Sequence, residues 1–278
     1  MPPTDGGLID LHSHSLASDG QYPAAVVATK AASAGVSVWA LTDHDSIAAL
    51  ETGRVAAEKL GIRFVPGIEL SVHLERREVH LLGHFVDPES EALRGFEDLL
   101  AEKRRVRMGE MISKLAKLGV PLTPEEIEVY SGGKTLGRPH VARALVARGF
   151  VSNVREAFDL WLADGKPAHV PRHRISVEEG IQLVRAAGGT ATIAHPGLSK
   201  VERGDIERMK GWGLSGVEVE HADQNPSVRD KYRRICAALD LVPTAGTDYH
   251  GEAVAPDRAF GEVSMAHSAF AELEARRP

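Results

Sequence analysis

Leu8-Ile9-Asp10-Leu11-His12-Ser13-His14 is the stretch that decides the fold. A short, largely apolar run leads straight into two histidines, as in a buried strand with polar groups at its C-terminal end. The same unit then repeats with a helix between. Ala24 to Ala34 is an alanine-rich helical run closed by Gly35, and Val36 to Leu41 is a second apolar strand ending in Thr42-Asp43-His44. Ser46 can cap a helix running to Leu60, Arg63 to Val65 begins a third strand, and Val79 to Phe85 forms a further one. Strands alternating with helices predict a parallel sheet with helices packed outside.

From about Glu89 to Phe158 the alternation stops. Leu93 to Leu118 reads as one long helix ended by Gly119. Thr123-Pro124-Glu125-Glu126 has capping-box spacing with proline at the first helical position, and Arg138 to Arg148 and Asn153 to Leu162 continue in helices. Residues 89–169 are expected to be a helical insert. The alternation resumes with a capping box at Ser176 and Glu179, whose helix ends at Gly188-Gly189. Strand Thr190 to Ala194 leads into His195, and Gly216 to Glu220 and Leu241 to Gly246 are later strands around a helix near Val228 to Leu239. The α/β part is thus expected over 1–88 and 170–278, with a surface helix at its end.

A chain of 278 residues, 43% hydrophobic and 26% charged, has the make-up of one large α/β domain or of one domain carrying an insert. No apolar run is long enough to span a bilayer and no charged-then-apolar start resembles a signal peptide, which points away from a membrane partner. The single cysteine, Cys236, excludes an intrachain disulfide and fits a cytoplasmic location. No obligate protein partner is visible. The formal net charge of -6 repels polyanions at long range, so a phosphate substrate needs local positive charge.

Five clusters of histidine and acid lie at or near predicted strand ends. They are Asp10 to His14 with Asp19; Thr42-Asp43-His44; Gly67-Ile68-Glu69 followed by His80; Ala194-His195-Pro196-Gly197; and Gly246-Thr247-Asp248-Tyr249-His250. Imidazole and carboxylate together ligate zinc, manganese and iron. Ligands on separate strand ends converge when the strands close into a barrel. His12 and His14 are two apart and in a strand share a face, as do Asp248 and His250. Gly67 lets the backbone approach closely beside Glu69. The plainer alternative is a set of satisfied polar side chains. Isolated buried polar groups cost several kcal/mol unless paired or metal-bound, and five such clusters favour the metal. His80 and His84 share a strand face, so spacing does not choose between them. His73 shares parity with Glu69 and is expected at the rim.

These motifs resemble those of the polymerase and histidinol phosphatase (PHP) superfamily of metal-dependent phosphoesterases, over about residues 8–88 and 170–252. The resemblance implies an α/β fold, a distorted (βα)7 barrel with a helical insertion domain. It also implies three divalent metal ions: manganese, with iron or zinc also suited. His12, His14, Glu69 and Asp248 would hold the first ion. Glu69, His80 and His195 would hold the second, with Glu69 bridging, and Asp19, His44 and His250 the third. The family pattern of a histidine before Leu-Leu-Gly favours His80 over His84. Asp43 is expected to orient His44, and Glu218 to act similarly near His195. Three ions bring six positive charges; Asp19, Glu69 and Asp248 remove three. The remaining +3 matches a phosphate dianion and one hydroxide. Water whose pKa falls toward ~7 is the nucleophile in this scheme, and no side-chain nucleophile is required.

The insert carries Lys103-Arg104-Arg105-Val106-Arg107, in which Arg104 and Arg107 share a helix face, and Gly137-Arg138-Pro139-His140 at a helix start. A bare charged run is more often a solvated face. Arginine forks and helix N-terminal N–H groups do bind phosphate, however. An arginine-bearing insert with Gly-Arg-Pro-His resembles, over nearly the whole chain, the PHP subgroup acting on nucleoside 3',5'-bisphosphates, which includes the 5'-to-3' exoribonuclease relatives called RNase AM. The resemblance implies that the ions bind one phosphate while Arg104, Arg107, Arg138 and His140 help bind the rest of a small nucleotide. Arg105 can replace Arg104 in register. The implied reaction removes the 3'-phosphate to leave a 5'-nucleotide. Trimming of short 5'-phosphorylated RNA is the alternative, and 5% aromatic residues supply no stacking ladder for long strands. Histidinol phosphatase ranks lower because of the insert. A non-enzymatic metal-binding interaction module ranks lower because the ligand set is intact.

Overall fold

A computed structural model describes residues 6–130, 137–172 and 174–278. Its elements begin with β1 (Leu8–Asp10), α1 (Ala24–Ser33), β2 (Val36–Leu41), α2 (Leu50–Lys59), β3 (Arg63–Leu74) and β4 (Arg77–His84). Next come the helices α3 (Glu91–Lys117), α4 (Pro124–Glu128), α5 (Arg138–Ala147) and α6 (Val154–Ala157). The alternation then returns with β5 (Ile175–Ser176), α7 (Val177–Ala186), β6 (Thr190–Ile193), α8 (Arg203–Gly211), β7 (Gly216–Glu220), α9 (Pro226–Leu239), β8 (Val242–Ala245) and α10 (His267–Ala275). Residues up to Arg94 and from Arg174 onward make one compact unit, and those between make a second.

In the first unit the strands run in the order β1-β2-β3-β4-β6-β7-β8, with β5 beside β3. The Leu11 N–H donates to Ala245 O (3.0 Å), the Asp248 N–H to His12 O (3.0 Å) and the His14 N–H to Tyr249 O (2.9 Å). These bonds zip the end of β8 to the end of β1 and close the sheet into a barrel. Its distortion is β4, which runs antiparallel to both β3 and β6. The expectation of a wholly parallel sheet is corrected here. Glu75 and Arg76 alone separate β3 from β4, and Glu75 is in the left-handed region (φ 57°). A two-residue link can join only antiparallel neighbours.

Apolar spacing builds the outer helices. Val27, Ala28 and Ala31 give α1 a buried stripe at intervals of three and four. In α7 the capping box forms as expected, with the Ser176 N–H donating to Glu179 Oε2 (2.7 Å) and the Glu179 N–H to Ser176 Oγ (3.2 Å). The helix expected from Ser46 begins later, at Leu50. The Ser46 hydroxyl accepts from the Ala48 N–H (3.2 Å) within a turn that follows left-handed Asp45. Phe270 and Leu273 of α10 pack against Ile9, Val38, Val65 and Val242. In the second unit, Met111, Leu115, Ile127, Val141, Leu145 and Leu162 form a separate core. There the helix expected over Asn153 to Leu162 is divided, α6 passing into a π-helical turn at Phe158–Leu162.

Candidate metal centre

His12 and His14 follow β1, His44 follows β2, Glu69 lies on β3, His80 on β4, His195 follows β6, and Asp248 and His250 follow β8. Barrel closure brings them together around Glu69. Its Oε1 lies 2.9 Å from His80 Nδ1 and 3.3 Å from His195 Nε2. Its Oε2 lies 3.1 Å from Nε2 of both His12 and His14, and 3.2 Å from His44 Nδ1. Asp248 Oδ1 is 3.2 Å from His12 Nε2 and 3.0 Å from His14 Nε2. Asp19, more exposed, lies 3.2 Å from His250 Nε2 and 3.8 Å from His44 Nε2. Among the described residues these atoms form three convergent groups: His12, His14, Glu69 and Asp248; His44, Glu69 and His80; and His14, Asp19, His44 and His250. His44 therefore joins the Glu69–His80 group, with His195 alongside.

The donor atoms fit divalent ions by a physical criterion. The buried atoms Glu69 Oε2, Asp248 Oδ1, His44 Nδ1 and His80 Nδ1 have close polar neighbours but no hydrogen-bond partner. Ligands about 2.0–2.2 Å from one ion stand roughly 3–3.5 Å apart, with lone pairs aimed at a common point rather than at each other.

Burial disfavours charge on these groups and lowers His44, but the partners of His12, His14, His80, Glu69 and Asp248 favour their charged forms. His12 is lifted well above the usual imidazole value, against burial, by Asp248, Glu218 and Glu69. His14, also against burial, rises to about 9 through the adjoining carboxylates of Asp248 and Glu69, and His80 to about 10 through that of Glu69. Despite burial, Glu69 and Asp248 stay well below the usual carboxylate range, with His12 the main cause. Protons therefore compete with metal for the imidazole nitrogens. Because the values of His12, His14 and His80 are raised, while burial lowers that of His44, the deprotonated fraction of those three still grows as pH passes neutrality. Manganese affinity is expected to climb with pH between about 6 and 9, with protons released on binding. Titration in weakly buffered solution measures both, and a flat affinity over that range counts against proton competition.

Further side chains orient the ligands. His12 Nδ1 is hydrogen-bonded to Glu218 Oε1 (2.9 Å), which leaves Nε2 facing Glu69. Glu218 Oε2 accepts the backbone N–H of His195 (2.8 Å), so one carboxylate supports two ligand loops. Asp43 does not play the part expected of it. It accepts from the Ser15 N–H and hydroxyl and from the Ser18 hydroxyl, each at 2.7 Å. Ser18 Oγ lies 3.3 Å from His14 Nδ1, so the imidazole that Asp43 reaches is His14's rather than His44's. Asp10 accepts from the Thr247 hydroxyl (2.7 Å) and N–H (3.1 Å), and burial pushes its carboxyl up to about 6. His195 (φ 24°) and Asp248 (φ 54°) both sit in the left-handed region, a strain that the surrounding bonds must hold.

The structure separates His80 from His84. His84 is buried, its Nε2 donates to Leu11 O (2.9 Å), and burial pushes it down to about 4. His73 sits half-buried opposite Glu78. Sequence reading missed His221, whose Nε2 lies 3.4 Å from Asp248 Oδ2, and Arg258, which bonds the same oxygen. His221 directly follows β7 and repeats the strand-end histidine pattern, a signal that was available; Arg258 lies in an aperiodic loop and offers none.

The four expected substrate residues lie in the second unit. Arg107 Nε donates to Val170 O (2.7 Å). Arg138 Nη1 donates to Asp164 Oδ1 (2.6 Å) and Leu162 O (3.2 Å). The Gly137 N–H donates to His140 Nδ1 (3.0 Å). Arg104 and Arg105 both line a groove with Met108, Ile112 and Glu128, and Arg105 also pairs with Glu102.

The PHP domain family matches residues 10–129. The chain is similar to a 5'-3' exoribonuclease of Haemophilus influenzae, 37% identical over 87% of this chain and 89% of the relative. It is similar to a 3',5'-nucleoside bisphosphate phosphatase of Chromobacterium violaceum, 33% identical over 87% of each. A solved structure from Bifidobacterium adolescentis, described as a candidate metal-dependent phosphoesterase, superposes with a TM-score of 0.75 at 29% identity, over 99% of this chain and 98% of that one. Barrel, ligand cluster and relatives together define a metal-dependent phosphoesterase. Within that class the chain belongs to the PHP family. Among the described residues no helix is long and apolar enough to cross a membrane.

Proposed function

We propose that this phosphoesterase removes the 3'-phosphate of nucleoside 3',5'-bisphosphates, leaving a 5'-nucleotide and phosphate, with three divalent ions, manganese in the first place and iron or zinc as substitutes. The observation that carries the reading is Glu69, whose two oxygens face separate sets of imidazoles as a bridging carboxylate must. In this reading His12, His14, Glu69 and Asp248 serve one ion, Glu69, His80 and His195 a second, and Asp19, His44 and His250 a third. Ions held there supply a water that ionises near neutral pH and positive charge for the phosphate oxygens. Glu218 keeps the His12 nitrogen turned inward, and Asp43 steadies Ser15 and Ser18 beside His14. Arg104, Arg107, Arg138 and His140 serve the rest of the nucleotide. The working location is the cytoplasm, consistent with a single cysteine that is buried and free.

A second reading, trimming of short 5'-phosphorylated RNA, is favoured by the Haemophilus influenzae relative at 37% identity. The test supplies manganese-loaded protein with 3',5'-bisphosphoadenosine or a short 5'-phosphorylated RNA. Free phosphate from the bisphosphate is expected with a kcat/KM at least about tenfold above that for mononucleotide release, and EDTA stops both. The reverse ranking makes the protein an exoribonuclease first.

A further inference from the structure

The loop that follows β7 carries none of the nine expected ligands, yet three of its side chains reach loops that do. His221 is fully buried. Its Nδ1 accepts the Asp223 N–H (3.1 Å), which leaves Nε2 as the protonated nitrogen, 3.4 Å from Asp248 Oδ2. Asp223 Oδ2 accepts from Arg258 Nε (3.0 Å) and Nη2 (2.6 Å), and Nη1 of the same guanidinium donates to Asp248 Oδ2. Gln224 Oε1 accepts the N–H of Gly197 (2.8 Å), two residues beyond His195, while its Nε2 donates to Glu218 O (3.0 Å) and Val219 O (2.9 Å). Both contacts to Asp248 from His221 and Arg258 fall on one oxygen. The other, Oδ1, is buried, has no hydrogen-bond partner and faces His12 and His14.

We infer that His221 and Arg258, the latter braced by Asp223, are positioning residues that make Asp248 a one-oxygen metal ligand. An unrestrained carboxylate can rotate, chelate through both oxygens or turn toward a neighbouring imidazole. Two donors on Oδ2 occupy that oxygen and fix the side-chain torsion, so Oδ1 alone is presented beside His12 and His14. The guanidinium suits this task because its planar fork bonds two carboxylates at once. Gln224 extends the brace to the His195 loop and ties it to the β7 strand end that also carries Glu218. The guanidinium also borders a cleft of about 360 Å³ lined by Asp19, Asp223, His250 and Val254, so a direct contact with substrate is the rival role for Arg258.

The inference rests on the metal-dependent reading, and the experiment separates the two. Wild type, Arg258→Gln, Arg258→Lys and His221→Gln are stripped of metal and refilled with manganese. The measurements are manganese affinity by chelator competition, the thermal midpoint of the metal-free protein, and kcat and KM at saturating manganese. Arg258→Gln and His221→Gln are expected to weaken manganese binding by roughly 10–100-fold, with metal-free midpoints near wild type and activity recovering as manganese is raised. Arg258→Lys, which keeps one donor, is expected to recover part of the affinity. Unchanged affinity with a raised KM overturns the inference and makes Arg258 a substrate contact. Unchanged affinity with a lowered metal-free midpoint overturns it in favour of a brace of the fold alone. A wild-type protein that takes up no manganese overturns the metal reading itself, a result distinct from both.

Discussion

Glu69→Gln is expected to lower kcat/KM by at least roughly 10³-fold, about 4 kcal/mol of barrier, at any manganese concentration. The substitution keeps the shape of the side chain and removes its charge and one of the two oxygens that would ligate in the proposed scheme. Five imidazoles lie within 3.3 Å of this carboxylate, so no neighbour can take over both of its faces. The loss is therefore not recoverable by mass action, which distinguishes it from the recoverable defects expected at Arg258 and His221. Bound manganese per chain should fall together with activity, while far-ultraviolet circular dichroism stays that of the wild type. Retained activity in Glu69→Gln with full metal content removes the bridging carboxylate from the scheme.

Gly246→Ala is expected to lower kcat/KM by about 10²-fold and to destabilise the fold by about 3 kcal/mol or more. A methyl group at this position would overlap the His12 Cβ and come within 2.7 Å of Glu218 Oε1 and 2.9 Å of the His12 amide nitrogen. None of these can yield cheaply, because His12 and Glu218 are both fully buried and hydrogen-bonded to each other. Any relief moves β8 away from β1 and carries Asp248 with it. Steady-state kinetics measures the first effect and chemical denaturation the second. An alanine variant with wild-type stability and turnover shows that the seam has slack that the contacts deny.

What was legible in the sequence was mostly local. The β1 and β2 strands, the capping boxes at Thr123 and Ser176 and the placing of histidine and acid clusters at strand ends are set by neighbours within a few residues, and all stand in the structure. The direction of β4 was not legible, because Glu75-Arg76 has none of the glycine or asparagine that marks a tight hairpin turn. Asp43 was matched to the wrong imidazole because His44 adjoins it in sequence. Consecutive residues on an extended chain point to opposite faces, and Asp43 turns to Ser15 and Ser18 instead. Arg258 was out of reach altogether, since it lies in an aperiodic loop and its partner Asp223 is 35 residues away on the loop after β7.

The bonds that close the barrel also set a timetable. Thr247 holds Asp10 across 237 residues of chain, and Asp248 meets His12 and His14 at the same junction. A polypeptide leaving the ribosome exposes its first two histidines long before their carboxylate partner exists. An ion held by His12, His14, Glu69 and Asp248 would thus find its full ligand set only after translation has passed β8, whereas the His44, Glu69 and His80 group is synthesised early.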